Sequence, residues 1–470
     1  DIYRNGLEKI AEEAMMFAWL ILIRKLSLII CDLGVKCDSI DIKAKKERQM
    51  ETDDFLARSL KHNFWTWSAQ RNPDVIPVEK ADGVYFWEPS GKRYLDFNSM
   101  VMCVNIGHGN RTVQEAMVRQ IRELTFAGPH MATKVRAELG EKLATLLPAG
   151  LDRFLYTLGG SEANENAIKL ARDYTGKFKI LTRYRSYHGA TMGSMALSGD
   201  YRRLHWEPLT MPGVVHFEDP YPYRSPFFAD GLAVDEEHFS QVYLNHLEDI
   251  IRGEGPETIA AVLIETVTGT NGILVPPQGY LKGLRALCDH YGILLITDEV
   301  MAGFGRTGKW FAFQNWDIVP DIVTMAKGLT SGYAPLGAVA MKSEIADSFN
   351  DKMYFGGLTY NGHPVSLAAA LANIEVIEQE SLLENAQKRG ETLKSLLAEM
   401  KAKHVCVGDV RSIGLFGAIE LVRDRQTKEP LTPTAQPLTA TMKKVKDYLR
   451  AHGLYINNTF HILLIIPPLI

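Results

Sequence analysis

The stretch TMAKGLTSGYAPLG, residues 324–337, places one lysine, Lys327, among small and apolar residues. It overlaps the apolar run DIVTM, residues 321–325, which has the composition of a buried strand. A lysine in such surroundings is costly unless its charge is lost or used. Lys327 is therefore a candidate functional residue at the end of a predicted strand.

Strand-like and helical patterns alternate outward from this stretch. The further apolar runs are RFLYT (153–157), KILTRY (179–184), AAVLIETV (260–267) and GILLITDEV (292–300). Helical segments such as 161–176 and 279–292 lie between several of them. Strands separated by helices predict an α/β fold with a mostly parallel sheet covered on both faces. After His363, long helical patterns, a glycine-centred hairpin pattern and short strands predict a smaller α+β unit.

Composition sets the class of protein. The chain has 470 residues, of which 46% are hydrophobic and 23% charged, as in soluble globular proteins with more than one domain. A net charge of −4 gives no reason to expect nucleic acid as a partner. The five cysteines include no CxxC pair, which favours a reducing compartment, the cytoplasm, over disulfides or a zinc site.

The first 54 residues differ from the rest. Residues 15–30 are strongly apolar but are interrupted by Arg24 and Lys25, and they are too short for a comfortable membrane span. Residues 38–54 are highly charged, as in a linker. We therefore expect residues 1–54 to be a leader and linker, disordered or foreign to the fold, with folding beginning near Phe55. A helix that binds a membrane surface or a partner is the open alternative.

Two loops at predicted strand ends carry candidate binding groups. Gly159 and Gly160 precede Ser161, which is expected to cap a helix. The N–H groups of a helix N-terminus suit a phosphate, although a capped helix that binds nothing fits equally well. In a second loop, Tyr187 and His188 follow the run 179–184, and an aromatic ring there either stacks on a flat ligand or packs ordinarily.

A third loop carries carboxylates. Asp298 and Val300 share one face of their strand because residues two apart point the same way. An acid that ends a buried strand pairs with a cation, either a ligand or a structural partner. Glu299 faces oppositely and is expected to pair with Arg306.

Neighbouring parallel strands end at one edge of a sheet, so these groups should converge. A phosphate cradle, a flat stacking surface, a carboxylate and a lysine together suit pyridoxal phosphate. Lys327 would form the Schiff base, and Asp298 would keep the pyridine nitrogen protonated. The lysine is then tolerated because it is not a free ammonium ion.

The motifs DEVMAGFGRTG, MAKGLTSGYAPLGA, GGSEANENAIKLAR, SYHGAT and TYNGHPVSLAAA carry a family resemblance. From about residue 55 to residue 470 the chain resembles the class III aminotransferases, pyridoxal-phosphate enzymes of fold type I, and especially their amine:pyruvate and omega-amino-acid branch. The resemblance implies a sheet of the seven-stranded type in a large domain, 101–362. A small domain, 363–470, would be joined by the segment 55–100.

Site roles follow from the same resemblance. Lys327 and Asp298 would be catalytic. The cofactor contacts it implies are Gly160, Ser161, Tyr187, His188, Glu265, Asp298, Val300, Lys327 and Thr359. Of these, Thr359 would reach the phosphate of a neighbouring subunit, so a homodimer, or a tetramer built from it, is expected.

The implied reaction is a ping-pong transamination through pyridoxamine phosphate. An amino group would move from a primary amine or omega-amino acid to a keto acid such as pyruvate, with preference for the S form. An aminomutase or a decarboxylase of the same fold, and a non-catalytic protein that binds the cofactor, remain alternatives.

Departures from the family pattern concern the pocket. Thr266 stands where proline is usual, and Met102 stands near a common tryptophan position. Asn457 and Asn458 occupy the stretch in which relatives often place a carboxylate-binding arginine, whose charge and fork asparagine lacks. The expected substrate pocket contains Phe64, Trp65, Met102, Tyr187, Asn457 and, from the partner subunit, Phe126. Arg411 is expected to be structural.

Overall fold

A computed structural model describes residues 54–470 of the chain. The apolar run 15–30 and nearly all of the predicted leader and linker lie outside these described residues. Within the described range, no helix is long and apolar enough to cross a membrane. The same range holds no group of three His, Cys, Asp or Glu side chains placed to bind a metal ion.

The main sheet has seven strands, as predicted. They are β4 (Arg153–Thr157), β5 (Lys179–Arg183), β6 (Val214–Phe217), β7 (Ile259–Glu265), β8 (Leu294–Asp298), β9 (Ile322–Met325) and β10 (Gly337–Met341). Their order is β4-β10-β9-β8-β7-β5-β6. The pairs along β6-β5-β7-β8-β9 are parallel, and β10 runs antiparallel to both of its neighbours. Every residue of β7 and β9 is buried, as expected of strands covered on both faces.

Helices cover both faces of this sheet and continue into the C-terminal part. Residues 54–62 are helical, and the further helices of the described chain are Arg111–Glu123, Lys134–Leu146, Gly160–Thr175, Met192–Leu197, Tyr201–Trp206, Glu236–Glu254, Tyr280–Tyr291, Ser343–Asp347, Pro364–Gln379, Leu382–Lys403 and Ala440–Ala451, with a short irregular turn at Ser99–Met102. The helix predicted over 161–176 ends as expected at Gly176, whose φ of 69° is the left-handed conformation that glycine favours. The long C-terminal pattern is broken at Ser381, where φ is 51°.

Two smaller sheets complete the fold. The first contains the predicted hairpin, β11 (Val407–Ile413) and β12 (Phe416–Asp424), with β13 (Glu429–Pro430), β15 (Asn458–Thr459) and β16 (Ile462–Ile465). The second joins β1 (Lys80–Asp82), β2 (Tyr85–Trp87) and β3 (Arg93–Asp96) to β14 (Leu454–Tyr455). This parallel β3–β14 pairing ties the start of the described chain to its end. The domain limits drawn from the sequence stay predictions.

The topology fixes where the site must lie. Because β5, β7, β8 and β9 are parallel, the loops after Arg183, Glu265, Asp298 and Met325 leave the sheet at one edge. In open α/β sheets, ligands bind outside the carboxyl ends of the strands.

Candidate active site

A cavity of about 840 Å³ opens at this edge of the main sheet. Its wall contains most of the residues predicted as cofactor contacts: Gly160, Ser161, Tyr187, His188, Asp298, Val300 and Lys327. Met102 and Asn457, predicted for the substrate pocket, also line it. Residues 66–68 and several residues of the β14–β16 region also line it, so both ends of the described chain help to form the cavity.

Lys327 lies just after β9 and begins a single turn of 3₁₀ helix, Lys327–Leu329. Its φ of 40° is unusual for a residue with a side chain, and such conformations concentrate at functional sites. Its side chain is half-buried at the cavity wall. Within residues 54–470, its amine has neither a hydrogen-bond acceptor nor an ion-pair partner. The amine is therefore available to a ligand.

Asp298 ends β8 with its carboxylate buried and firmly held. Its Oδ2 accepts hydrogen bonds from Nδ1 of His188 at 2.7 Å and from Nδ2 of Asn164 at 2.8 Å. The backbone N–H of Val300 donates to Oδ1 at 2.9 Å. Asn164 is itself oriented, because its Oδ1 accepts from the hydroxyl of Thr324 at 2.8 Å. These bonds fix the carboxylate at the cavity wall.

Sequence reasoning missed Asn164. It lies on the helix Gly160–Thr175, on the buried face that also carries Ala163 and Ala167. A polar side chain among alanines on a face predicted to be buried was the available signal, since such a group needs partners.

The loop after β4 differs in detail from the prediction. The helix begins at Gly160 and its cap is Gly159, so Ser161 lies in the first turn and is not the cap as expected. The hydroxyl of Ser161 accepts a hydrogen bond from the N–H of Ala190 at 3.1 Å. Gly159 has no side chain to accept from the first N–H groups, which leaves them to a ligand.

A glycine is required at position 160 because the backbone there lies close to the side chain of Val300. A Cβ atom at this position would lie 2.8 Å from Cγ1 of Val300, closer than packed atoms tolerate. The loop therefore comes against Val300, which shares the cavity wall with Asp298, as the strand alternation predicted.

Glu265 acts on Tyr187 through the backbone. It is buried behind the cavity wall, and its carboxylate accepts from the N–H of Tyr187 at 3.0 Å and of Gly269 at 2.7 Å. Burial, the largest effect, raises the pKa of Glu265 above its usual value. The Tyr187 ring is in turn covered by the guanidinium of Arg202, 3.8 Å from the ring centre.

The predicted pair of Glu299 and Arg306 is wrong. Glu299 accepts from the hydroxyl of Thr266 at 2.6 Å and from the N–H groups of Ala312 at 2.8 Å and Phe313 at 3.1 Å. Arg306 instead donates to the side chain of Asn105 at 2.6 Å and to backbone carbonyls. Neutral donors thus satisfy the buried carboxylate, and one of them is the residue that replaces the family's usual proline.

Two aromatic predictions for this chain's own substrate pocket, Phe64 and Trp65, stay predictions. The cavity is lined by Thr66, Trp67 and Ser68, and neither Phe64 nor Trp65 lines it. Trp67 has a φ of 56°, which is uncommon for a residue with a side chain. Arg411 is buried and donates to Asp409 at 2.7 Å, in keeping with its expected structural role.

Phe126 and Thr359 lie together, away from the cavity of their own chain. The Phe126 ring packs on Tyr360, the residue after Thr359, with ring centres 5.7 Å apart. Both Phe126 and Thr359 are exposed within the described chain. Their predicted contribution to a neighbouring subunit stays a prediction.

The chain is similar to known aminotransferases in sequence and in structure. The family model for class III aminotransferases matches residues 67–470. The taurine–pyruvate aminotransferase of Bilophila wadsworthia is 41% identical over 393 residues, which cover 80% of this chain and 84% of the relative. A solved taurine:2-oxoglutarate aminotransferase from Bifidobacterium kashiwanohense, in complex with pyridoxal phosphate and glutamate, matches with a TM-score of 0.86 and 40% identity. That match covers 89% of this chain and 93% of the solved one.

A second solved structure is similar over the same span. It is a thermostable (S)-enantioselective omega-transaminase from Thermomicrobium roseum, with a TM-score of 0.82 and 37% identity. The match covers 89% of this chain and 94% of that chain. With the family model matching well over half of its length, the chain belongs to the class III aminotransferases.

Proposed function

We propose that this protein is a pyridoxal-phosphate-dependent transaminase that moves the amino group of a primary amine or omega-amino acid to a keto acid such as pyruvate, by a ping-pong mechanism. The observation that carries the proposal is one cavity wall that unites the unpaired amine of Lys327 with the fixed carboxylate of Asp298. The relatives named for pyruvate-dependent amino transfer support the choice of acceptor.

The residues present fit the cofactor. The uncapped helix start at Gly160 and Ser161 would hold its phosphate. Asp298 would face the ring nitrogen, and Val300 and Tyr187 would cover the two ring faces. When bound, pyridoxal phosphate supplies an aldehyde that takes up the amino group and a protonated ring that draws electrons from the neighbouring carbon.

The chain's own groups then have distinct tasks. The amine of Lys327 would take the proton from the substrate carbon that bears nitrogen and deliver it to the cofactor carbon that carried the aldehyde oxygen. His188 and Asn164 keep Asp298 oriented by donating to its Oδ2. Glu265 fixes the backbone at Tyr187 and so orients that ring. Met102 and Trp67 also line the cavity and are candidates to contact the substrate.

We also propose a homodimer with shared active sites, which a tetramer would retain. The support is the exposed pair of Phe126 and Tyr360 beside Thr359, since large apolar side chains grouped at a surface mark interaction sites. Sedimentation equilibrium measures the mass directly. A monomer that is fully active would overturn this part of the proposal.

The test of the reaction uses purified protein supplied with pyridoxal phosphate, pyruvate and each enantiomer of 1-phenylethylamine. We expect alanine to form, faster with the S amine, as described for the Thermomicrobium roseum neighbour. Lys327→Ala should abolish alanine formation, while Arg153→Gln, an exposed change at the start of β4, should keep it. Carbon dioxide release when an α-amino acid replaces the amine would favour a decarboxylase. Cofactor retention without any turnover would favour a binding protein.

A further inference from the structure

A second cation faces the cavity besides Lys327. Arg202, at the start of the helix Tyr201–Trp206, lines the wall next to Tyr187, and only 17% of its side chain is exposed. Its guanidinium stacks on the Tyr187 ring at 3.8 Å. A planar cation over an aromatic ring is held in one orientation, with its edge left for hydrogen bonding.

Asp200 holds one side of this guanidinium. The Nε of Arg202 donates to the two Asp200 oxygens at 3.1 and 3.0 Å, and its Nη2 donates to Oδ2. Asp200 is itself fixed, since it caps the helix by accepting from the N–H of Arg202 at 3.0 Å and also accepts from Asn271 at 3.2 Å. Burial opposes the charge of Arg202, but Asp200 raises its pKa above the usual value. The cation is permanent.

The other side of Arg202 is free. Within residues 54–470, its Nη1, which carries two N–H donors, makes no hydrogen bond, since the bonds of the guanidinium come from Nε and Nη2. A charged donor at a cavity wall is suited to an acid group of a ligand, where a hydrogen bond to an ionised partner is strong.

The remaining cations and amides of the wall are already engaged. Lys446 and Arg450 both bind Asp74. Asn457 donates to the side chain of Asn98 at 2.6 Å, and Asn458 donates to a backbone carbonyl at 2.8 Å. The stretch in which related enzymes often place an arginine therefore offers no positive charge, which an asparagine amide does not replace.

We propose that Arg202 binds the acid group of the substrate, a carboxylate or a sulfonate, through its free Nη1 edge. This inference rests on the proposed transaminase function and names its substrate class: short omega-amino acids and the keto acids that accept their nitrogen. Asp200 is then a positioning residue, because it holds Nε and Nη2 of the guanidinium and leaves Nη1 for the ligand.

The experiment compares the first half-reaction of the cofactor-loaded enzyme with three amines of similar size: 3-aminopropanoate, 2-aminoethanesulfonate and propylamine. The variants are Arg202→Met and Arg202→Lys, with Arg153→Gln as a control that removes one exposed positive charge far from the cavity. Loss of a hydrogen bond to a charged group weakens binding about tenfold to a hundredfold. We expect Arg202→Met to lower the acid-to-neutral ratio of kcat/KM by at least about tenfold, mainly through KM.

Arg202→Lys should give an intermediate ratio, because it keeps the charge without the planar stack. Calorimetric titration with propanoate, ethanesulfonate and propan-1-ol provides a readout without turnover, and the wild type should bind only the two acids. If Arg202→Met loses binding of propanoate alone, the site is assigned to carboxylates. If it loses binding of ethanesulfonate alone, the site is assigned to sulfonates.

Two results would overturn the inference. One is an unchanged ratio in Arg202→Met, and the other is equal slowing of all three amines, which would make Arg202 only a support for Tyr187. Failure of the proposed function looks different, because the wild type itself would then transfer nitrogen from none of the amines.

Discussion

Replacing Thr266 by valine tests how the fold keeps a second carboxylate buried beside the site. The Thr266 hydroxyl donates to Glu299 at 2.6 Å, and Glu299 is completely buried. Burial, the largest effect, raises the pKa of Glu299 from 4.5 to about 7. Valine has the same shape but no hydroxyl, so the substitution removes one donor with little change in volume.

The loss of folding stability caused by Thr266→Val depends on pH, and the direction of this dependence follows from the protonation of Glu299. Because the folded pKa of Glu299 is raised, its contribution to stability is full below the unfolded pKa and is lost as pH rises through about 7. Removing a donor to the ionised form raises the folded pKa further. A neutral hydrogen bond contributes about 1 kcal/mol and one to a charged group about 2–3 kcal/mol. Thr266→Val should therefore cost about 1 kcal/mol at pH 5.5 and about 2–3 kcal/mol at pH 8.5.

Scanning calorimetry at these two pH values is the assay. For a chain of this size, about 1 kcal/mol corresponds to about 1 °C in Tm. The matched control is Thr297→Val in β8, because the Thr297 hydroxyl is equally buried but makes no hydrogen bond within the described chain. That control should leave Tm unchanged or raise it. Equal destabilisation by Thr266→Val at both pH values, or equal effects of the two variants, would refute the reasoning.

Three further predictions concern the cavity wall. Gly160→Ala should weaken cofactor retention in equilibrium dialysis, since its Cβ would meet Val300 at 2.8 Å, and adding Val300→Ala should restore retention; no rescue would mean that the helix start itself was disturbed. Asn164→Leu should lower kcat about tenfold or more by freeing the carboxylate of Asp298, and normal kcat would show that the His188 bond alone suffices. Asp74→Asn should cost less than about 1 kcal/mol in urea unfolding yet raise KM, because its exposed ion pairs hold the N-terminal segment at the cavity; unchanged KM would contradict that role.

The sequence alone predicted the features that depend on short, local patterns of residues. Apolar runs that end in glycine, aspartate or lysine identified the strands, and parallel strands bring their ends to one edge. Lys327, Asp298, Val300 and Tyr187 could therefore be placed around one cavity before the structure was known. Their roles with the cofactor remain proposals, because shared position does not by itself establish chemistry.

Other features depend on contacts between distant parts of the chain. Trp67 lines the cavity and Trp65 does not, and no local pattern in the sequence distinguishes the two residues. Similarly, charge alone suggested Arg306 as the partner of Glu299. The structure supplies backbone N–H groups from residues 312–313, which no local pattern could indicate.

Asp298 and Glu299 are adjacent carboxylates, of which one faces the ligand cavity and the other has only structural partners. They are consecutive and both buried, Asp298 as the last residue of β8 and Glu299 just after it, yet their carboxylates have different surroundings. Asp298 faces the cavity and is held partly by His188, a side chain that is itself at the wall. Glu299 faces the interior, where a hydroxyl and two backbone groups satisfy it, and the charge of Asp298 is one reason that its pKa is raised. Two adjacent carboxylates therefore need opposite environments: one must be met by a cation from the ligand, and the other must be satisfied without one. Thr266 provides part of that second environment, which gives a physical reason for a hydroxyl at a position where the family pattern has proline.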